Sequence, residues 1–163
     1  MTLAAPAGAG FTITTAAFAP GTAVPSVHTC DGADTSPPLA WSGAPAGTKA
    51  FALIVHDPDA PAGDWLHWVA WNIPAAVHAL PEGIPKKELL PDGMRQGKND
   101  FGKTGYGGPC PPSGTHHYVF ALYAIDAMLS LPASAPRDQI EKEIRAHLLA
   151  EAEVTGTYQR RKR

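Results

Sequence analysis

Three short clusters in this chain gather residue types that handle anions and protons. HDPDAP (56–61) supplies His56, Asp57 and Asp59. DWLHW (64–68) supplies Trp65 and His67. GGPCPPSGTHHY (107–118) supplies Gly108, Pro109, His116, His117 and Tyr118. Imidazole and phenol groups donate hydrogen bonds to an anion. A neighbouring carboxylate orients a histidine and raises its pKa. Backbone N–H groups of a glycine-rich loop cradle phosphate oxygens. No Lys or Arg falls inside the clusters, so a pocket built from them suits a small anion held by neutral donors and protonated histidine.

The same residues have plainer uses. Asp57 and Asp59, flanking Pro58, are suited to capping a turn, and His67 on a strand face is suited to a hydrogen-bonded core. His28, His78 and His147 read as surface or packing residues. Histidine and aspartate are metal-ligand types, but neither HExxH nor a paired CxxC is present, so no metal and no cofactor is expected. A Cys110–His116 nucleophile is disfavoured because Pro111 and Pro112 follow Cys110. No helix can start there to lower the thiol pKa. With no GxSxG and no Walker-type loop, no catalytic residue is assigned. General acid–base work by the Asp/His/Tyr set stays as an alternative. Cys30 and Cys110 sit in two glycine-rich loops, and the sequence leaves their pairing open.

Strands must hold these clusters. Residues 11–15 alternate apolar and polar and suit a first strand, and 39–41 suit a short one. FALIVH (51–56) is a continuous apolar run, as expected of a buried central strand. The prolines at 58 and 61 end it and exclude a helix. WLHWVAWNI (65–73) reads as the next strand. Strict alternation puts Trp65, His67, Val69 and Trp71 on one face and Leu66, Trp68, Ala70 and Asn72 on the other. Residues 74–114 form a long Gly/Pro-rich stretch that either carries function or hides short strands. HYVFALYAI (117–125) is a further central strand. A helix is expected from Pro136, with Asp138 in its first turn and Ile140, Ile144 and Leu148 as its apolar stripe. Residues 152–158 alternate as a last strand.

The 163 residues make one domain, 1–163, with no repeat and no linker. Sixteen glycines and 17 prolines favour turns and short strands over helices. The net charge of −2 leaves no broad basic face for nucleic acid, and the terminal RRKR reads as a solvated tail. No apolar run approaches the roughly 18 residues of a membrane span. The first residues lack a secretion signal's pattern, so the cytoplasm is the default. The expected fold is mainly β, a sandwich or barrel-like domain of about eight strands with one C-terminal helix.

The chain resembles the phosphatidylethanolamine-binding proteins, also called Raf kinase inhibitor-like proteins, in their bacterial branch. The likeness is carried by HTCDGADTSPPLAWSGAP (28–45), FALIVHDPDAP (51–61), WLHWVAWNIP (65–74), GYGGPCPPSGTHHYVFALYAID (105–126) and AEAEVTGTY (150–158). It implies a β-sandwich of two antiparallel sheets with Greek-key topology and a small anion pocket. Transferred residue by residue, the pocket comprises Asp57, Trp65, His67, Gly108, Pro109, His116 and Tyr118, with Asp59 behind it in a structural role. The family pattern has Arg where this chain has His117, so a salt bridge made by that Arg would be lost, while alternation turns His117 away from the pocket. The resemblance implies a non-catalytic binder of phosphate or a phosphoethanolamine-like head group. A regulator of a kinase or protease is the alternative partner reading, and a homodimer stays open.

Overall fold

The computed structural model describes residues 10–160. Its eight named strands form two antiparallel sheets. The smaller orders β1 (Thr12–Thr14), β2 (Leu39–Ser42) and β5 (Ala79–Leu80) as β1-β2-β5. The larger orders β3 (Ala50–Asp57), β4 (Trp65–Pro74), β6 (Arg95–Gln96), β7 (His116–Ile125) and β8 (Leu148–Tyr158) as β6-β4-β3-β7-β8. The expected mainly β sandwich with a C-terminal helix is what forms.

β3 occupies the centre of the large sheet, and its unbroken apolar run follows from cover on both faces. Phe51, Leu53 and Val55 join Phe120 and Leu122 of β7 in the core shared with the small sheet, where Ile13, Leu39 and Trp41 meet them. Ala50, Ala52 and Ile54 face the opposite way, into a second core. The helix α1 (Arg137–Ala146) closes that core with Ile140 and Ile144. Ala50, Ala52 and Ala121 belong to the same core.

α1 begins after Pro136 and carries Asp138 in its first turn and Arg145 in its last, both favourable to its dipole. It ends earlier than its apolar stripe suggested. Leu148 is not helical but opens β8, paired with Ile125. A residue four beyond Ile144 continues a helical stripe and equally well starts an apolar strand, and here sheet pairing decides.

β4 departs from strict alternation for a physical reason. Its pairing with β3 slips twice, once where Val55 and His56 face Trp68 and Leu66, and once where Phe51 and Leu53 face Ile73 and Ala70. Each slip inserts one extra residue into β4, and an inserted residue re-aims everything beyond it. Trp68, Ala70 and Ile73 therefore pack between the sheets, while Leu66, Val69 and Trp71 pack under the helix. The expected grouping of His67 with Val69 and Trp71 does not form. Asn72 makes the second bulge, with φ at 57°. Its side-chain amide donates to the Leu129 carbonyl at 2.9 Å and its side-chain oxygen accepts the Leu129 N–H at 2.8 Å.

The stretch 74–114 holds the two short strands β5 and β6 and is otherwise organised by two buried amides. Gln96 donates to the Pro85 and Lys87 carbonyls and accepts from the Trp68 indole. Asn99 donates to the Gly105 carbonyl and accepts the N–H groups of Phe101 and Lys103.

Asn72→Ala strands both backbone groups of Leu129 in a buried setting, so unfolding in urea should show a loss of about 3 kcal/mol with an unchanged slope. A loss below about 0.5 kcal/mol would contradict this role for the bulge.

Candidate functional site

The site is assembled where β3 ends, β4 begins and β7 begins. Asp57 is the last residue of β3 and is buried. One of its oxygens accepts the Asp59 N–H at 2.8 Å, which shapes the turn through Pro58. The other accepts Nδ1–H of His116, the first residue of β7, at 2.6 Å. Asp59 repeats the pattern one step outward. Its Oδ2 accepts both the backbone N–H of His117 at 2.8 Å and the ring Nδ1–H at 2.7 Å. These bonds hold the Asp59 carboxyl below the usual carboxylate value. His117 is exposed, does not line the cavity, as alternation required, and pairs with Asp59.

His67 is the residue inserted by the first bulge of β4. Its Nδ1 meets the Gly107 carbonyl at 2.6 Å, while its own carbonyl accepts the Gly107 N–H at 2.9 Å. A carbonyl only accepts, so Nδ1 carries the hydrogen, and Nε2 of the neutral ring is a bare lone pair. Burial pushes the His67 imidazole below its ordinary pKa, outweighing the upward pull of the Gly107 carbonyl and the Asp57 charge.

Tyr118 lies two residues along β7 from His116, on the same face. Its ring stands edge-on to His67 at 5.2 Å and near-parallel to His116 at 6.4 Å. The side chain is buried; its hydroxyl has no partner at full hydrogen-bond geometry, and the Asp57 carboxylate is close enough to interact with it. Burial, with the Asp57 charge and a hydrogen-bonding contribution from the same carboxylate adding, drives that hydroxyl's pKa far up, so it stays a donor. The indole N–H of Trp65 is likewise buried without a partner. A buried donor left unpaired costs about 1–3 kcal/mol, and these two flank the same space.

That space is a cavity of about 260 Å³ lined by Asp57, Trp65, His67, His116 and Tyr118, with Phe101, Cys110, Pro111, Pro112 and residues 60–62 completing its wall. No Lys or Arg among the described residues lines it. Five of the residues expected at a pocket are therefore brought together. Gly108 and Pro109 are not among its lining residues. The Gly108 N–H donates to Asp34 at 2.8 Å, and a Cβ there would collide with the His28 carbonyl and the Asp34 carboxylate. The Gly107 N–H is also committed, to His67. The glycines thus dock two loops and leave no N–H cradle at 107–108 for a phosphate. His56 turns the other way, to Asp64 at 2.7 Å, and Asp64 in turn accepts from Arg137 of α1.

Sequence reading missed Phe101. It is 43% exposed and stands edge-on to both Trp65 and His67, at 5.5 and 5.4 Å. No periodicity marks it, because the Asn99 turn places it. Cys30 and Cys110, left open above, form a disulfide with Cα atoms 5.4 Å apart across 80 residues. The bond fixes the cavity wall to the 26–36 loop and removes any thiolate nucleophile at Cys110. Among the described residues no group of three or more His, Cys, Asp or Glu side chains is placed to hold a metal ion, and no helix is long and apolar enough to cross a membrane.

Comparison with known proteins gives a consistent result. The family model for phosphatidylethanolamine-binding protein matches residues 14–159. A UPF0098 protein of Methanothermobacter thermautotrophicus is 49% identical over 84% of this chain and 91% of its own length. The UPF0098 protein YbcL of Escherichia coli is 43% identical over 80% of this chain and 74% of its own. The crystal structure of YbcL, described as a member of the mammalian PEBP family, superposes with a TM-score of 0.87, covering 93% of this chain and 99% of that one at 38% identity. A PEBP homologue from Chlamydia trachomatis gives 0.84 at 36% identity, with the same coverage of each chain.

The geometry fixes the sign of one pH effect. The folded chain holds His67 neutral to lower pH than the unfolded chain does. Below about 6.5 the unfolded state therefore binds the extra proton, and this contribution to stability is lost as pH falls. In the ligand-free protein an NMR titration of the His67 ring should give a midpoint below about 6.5, and a midpoint above it would contradict the burial argument. Separately, replacing both cysteines by serine should lower stability by about 2–4 kcal/mol in denaturant unfolding. An unchanged midpoint would show that the bond does not constrain the chain.

Proposed function

The chain belongs to the phosphatidylethanolamine-binding protein family, and on that footing we propose that its cavity binds a small anion, a phosphate monoester or a phospholipid head group, without turning it over. The observation that carries this reading is the unpaired, buried Tyr118 hydroxyl at a cavity that also holds Trp65 with its orphan N–H. Buried donors normally have acceptors, and an oxyanion in the cavity supplies them. His116 adds a further group. With Nδ1 held by Asp57, its Nε2 is the ring atom left to meet a ligand, and it donates there in the protonated ring.

The wall of the cavity is largely apolar, with Phe101, Pro61, Pro111 and Pro112 around it. That suits a ligand whose anionic head carries a carbon-bearing substituent. Structural disulfides are commonest in oxidising compartments, with intracellular proteins of hyperthermophiles an exception. The Cys30–Cys110 bond suits an oxidising compartment and is compatible with the cytoplasmic expectation.

One observation favours a second reading. The Asp57–His116 bond is also the arrangement of an oriented general base. Among the described residues no Ser, Thr or free Cys lines the cavity, so such an enzyme would have to activate water or a substrate hydroxyl. Turnover of a phosphate monoester that disappears in His116→Ala would favour it.

Isothermal titration with phosphate and phosphoethanolamine tests the binding reading. Saturable one-site binding is expected, tighter at pH 6 than at pH 8, weakened about tenfold by Tyr118→Phe and lost in His116→Ala. Absence of binding at either pH would remove the reading.

A further inference from the structure

The two cavity histidines are held by chemically different partners. His116 leans on a carboxylate, Asp57, whereas His67 leans on a neutral carbonyl, that of Gly107. In both rings Nδ1 carries the hydrogen, so each offers the cavity only Nε2. Nε2 of His67 has no partner among the described residues. A proton added at His116 is balanced by the charge it contacts. A proton added at His67 is placed in a buried ring whose bonded partner is uncharged.

The groups around His67 act in opposite directions. Asp57 at the end of β3 and Asp34 in the 26–36 loop pull its protonation upward, as do the carbonyls of Gly107 and Gly108, and burial outweighs them. From β7, Tyr118 stays protonated and His116 stands beyond it. His67, whose neutral ring carries a lone pair at Nε2, thus lines the same cavity as Tyr118 and Trp65, whose donors are buried.

A fully deprotonated oxyanion sets lone pair against lone pair at His67. We propose that His67 is a specificity-determining residue that selects a hydrogen-bearing oxyanion, a phosphate monoester in its monoanionic form, whose P–O–H donates to Nε2 while a deprotonated oxygen accepts from the Tyr118 hydroxyl and His116. This rests on the anion-site reading above and adds which protonation state of the ligand is taken. The lone pair makes the site a discriminator between phosphate esters and sulfate esters, which match in charge and shape but differ in that one hydrogen.

The test compares methyl phosphate with methyl sulfate by isothermal titration at about pH 6.5, where the lowered pKa leaves His67 mostly neutral and part of the phosphate monoester is still the monoanion. Methyl phosphate should bind about tenfold tighter or more. In His67→Phe the two affinities should converge. Equal affinities in the wild-type protein, or a preference that survives His67→Phe, would overturn the inference while leaving the anion site intact. Binding of neither ester would overturn the anion-site reading and this inference with it. Should His67→Phe fail to fold, the wild-type pair of ligands still decides.

Discussion

A carboxylate taken out of water at the end of a central strand needs partners of its own. Asp57 is that carboxylate, and the way it is satisfied sets the geometry of everything near it. Its bond to His116 ties the end of β3 to the start of β7 and fixes which nitrogen of the ring carries hydrogen. Its bond to the Asp59 N–H closes the turn that carries Asp59 toward His117. Two aspartates two residues apart thus hold two successive histidines, one facing the cavity and one facing solvent. Removing Asp57 would free the His116 ring and loosen the strand entry together.

The second constraint is the pair of bulges in β4. A regular strand would have placed His67 with Val69 and Trp71, on the side that the helix covers. The inserted residue at 67 lets His67 and Trp68 serve the same side, one at the cavity and one in the core between the sheets. The inserted residue near Asn72 restores the pairing further along. Bulges concentrate where a side chain must be re-aimed, and here the re-aimed side chain meets Gly107 and Tyr118. The glycines of the 105–108 segment then serve close approach between loops, and the disulfide holds that approach.

Much of this was legible in the residues. Asp57, Trp65, His67, His116 and Tyr118 could be picked out because each lies at the end of a strongly apolar segment, where chain position alone nearly fixes spatial position. Short β-rich runs separated by Gly and Pro point to a β-sandwich or barrel, and the family resemblance narrows this to two antiparallel sheets. What was not legible depended on closure between distant segments. Phe101 is set by the amide of Asn99. Gly108 is set by Asp34 and His28. The faces of β4 are set by slips in pairing that a period of two cannot encode. Leu148 satisfied a helical stripe and a strand at once, and only pairing with Ile125 separates the two. The orphan hydroxyl of Tyr118 is a property of three-dimensional surroundings and has no trace in sequence.

The central claim is that an oxyanion completes this cavity by supplying acceptors to donors that the protein leaves unpaired. The most direct measurement is a crystal structure of the protein soaked with phosphoethanolamine. The account predicts a phosphate group in the cavity, within hydrogen-bond distance of the Tyr118 hydroxyl and of Nε2 of His116. A cavity holding only water at saturating ligand, or a phosphate bound elsewhere with both groups untouched, would contradict it.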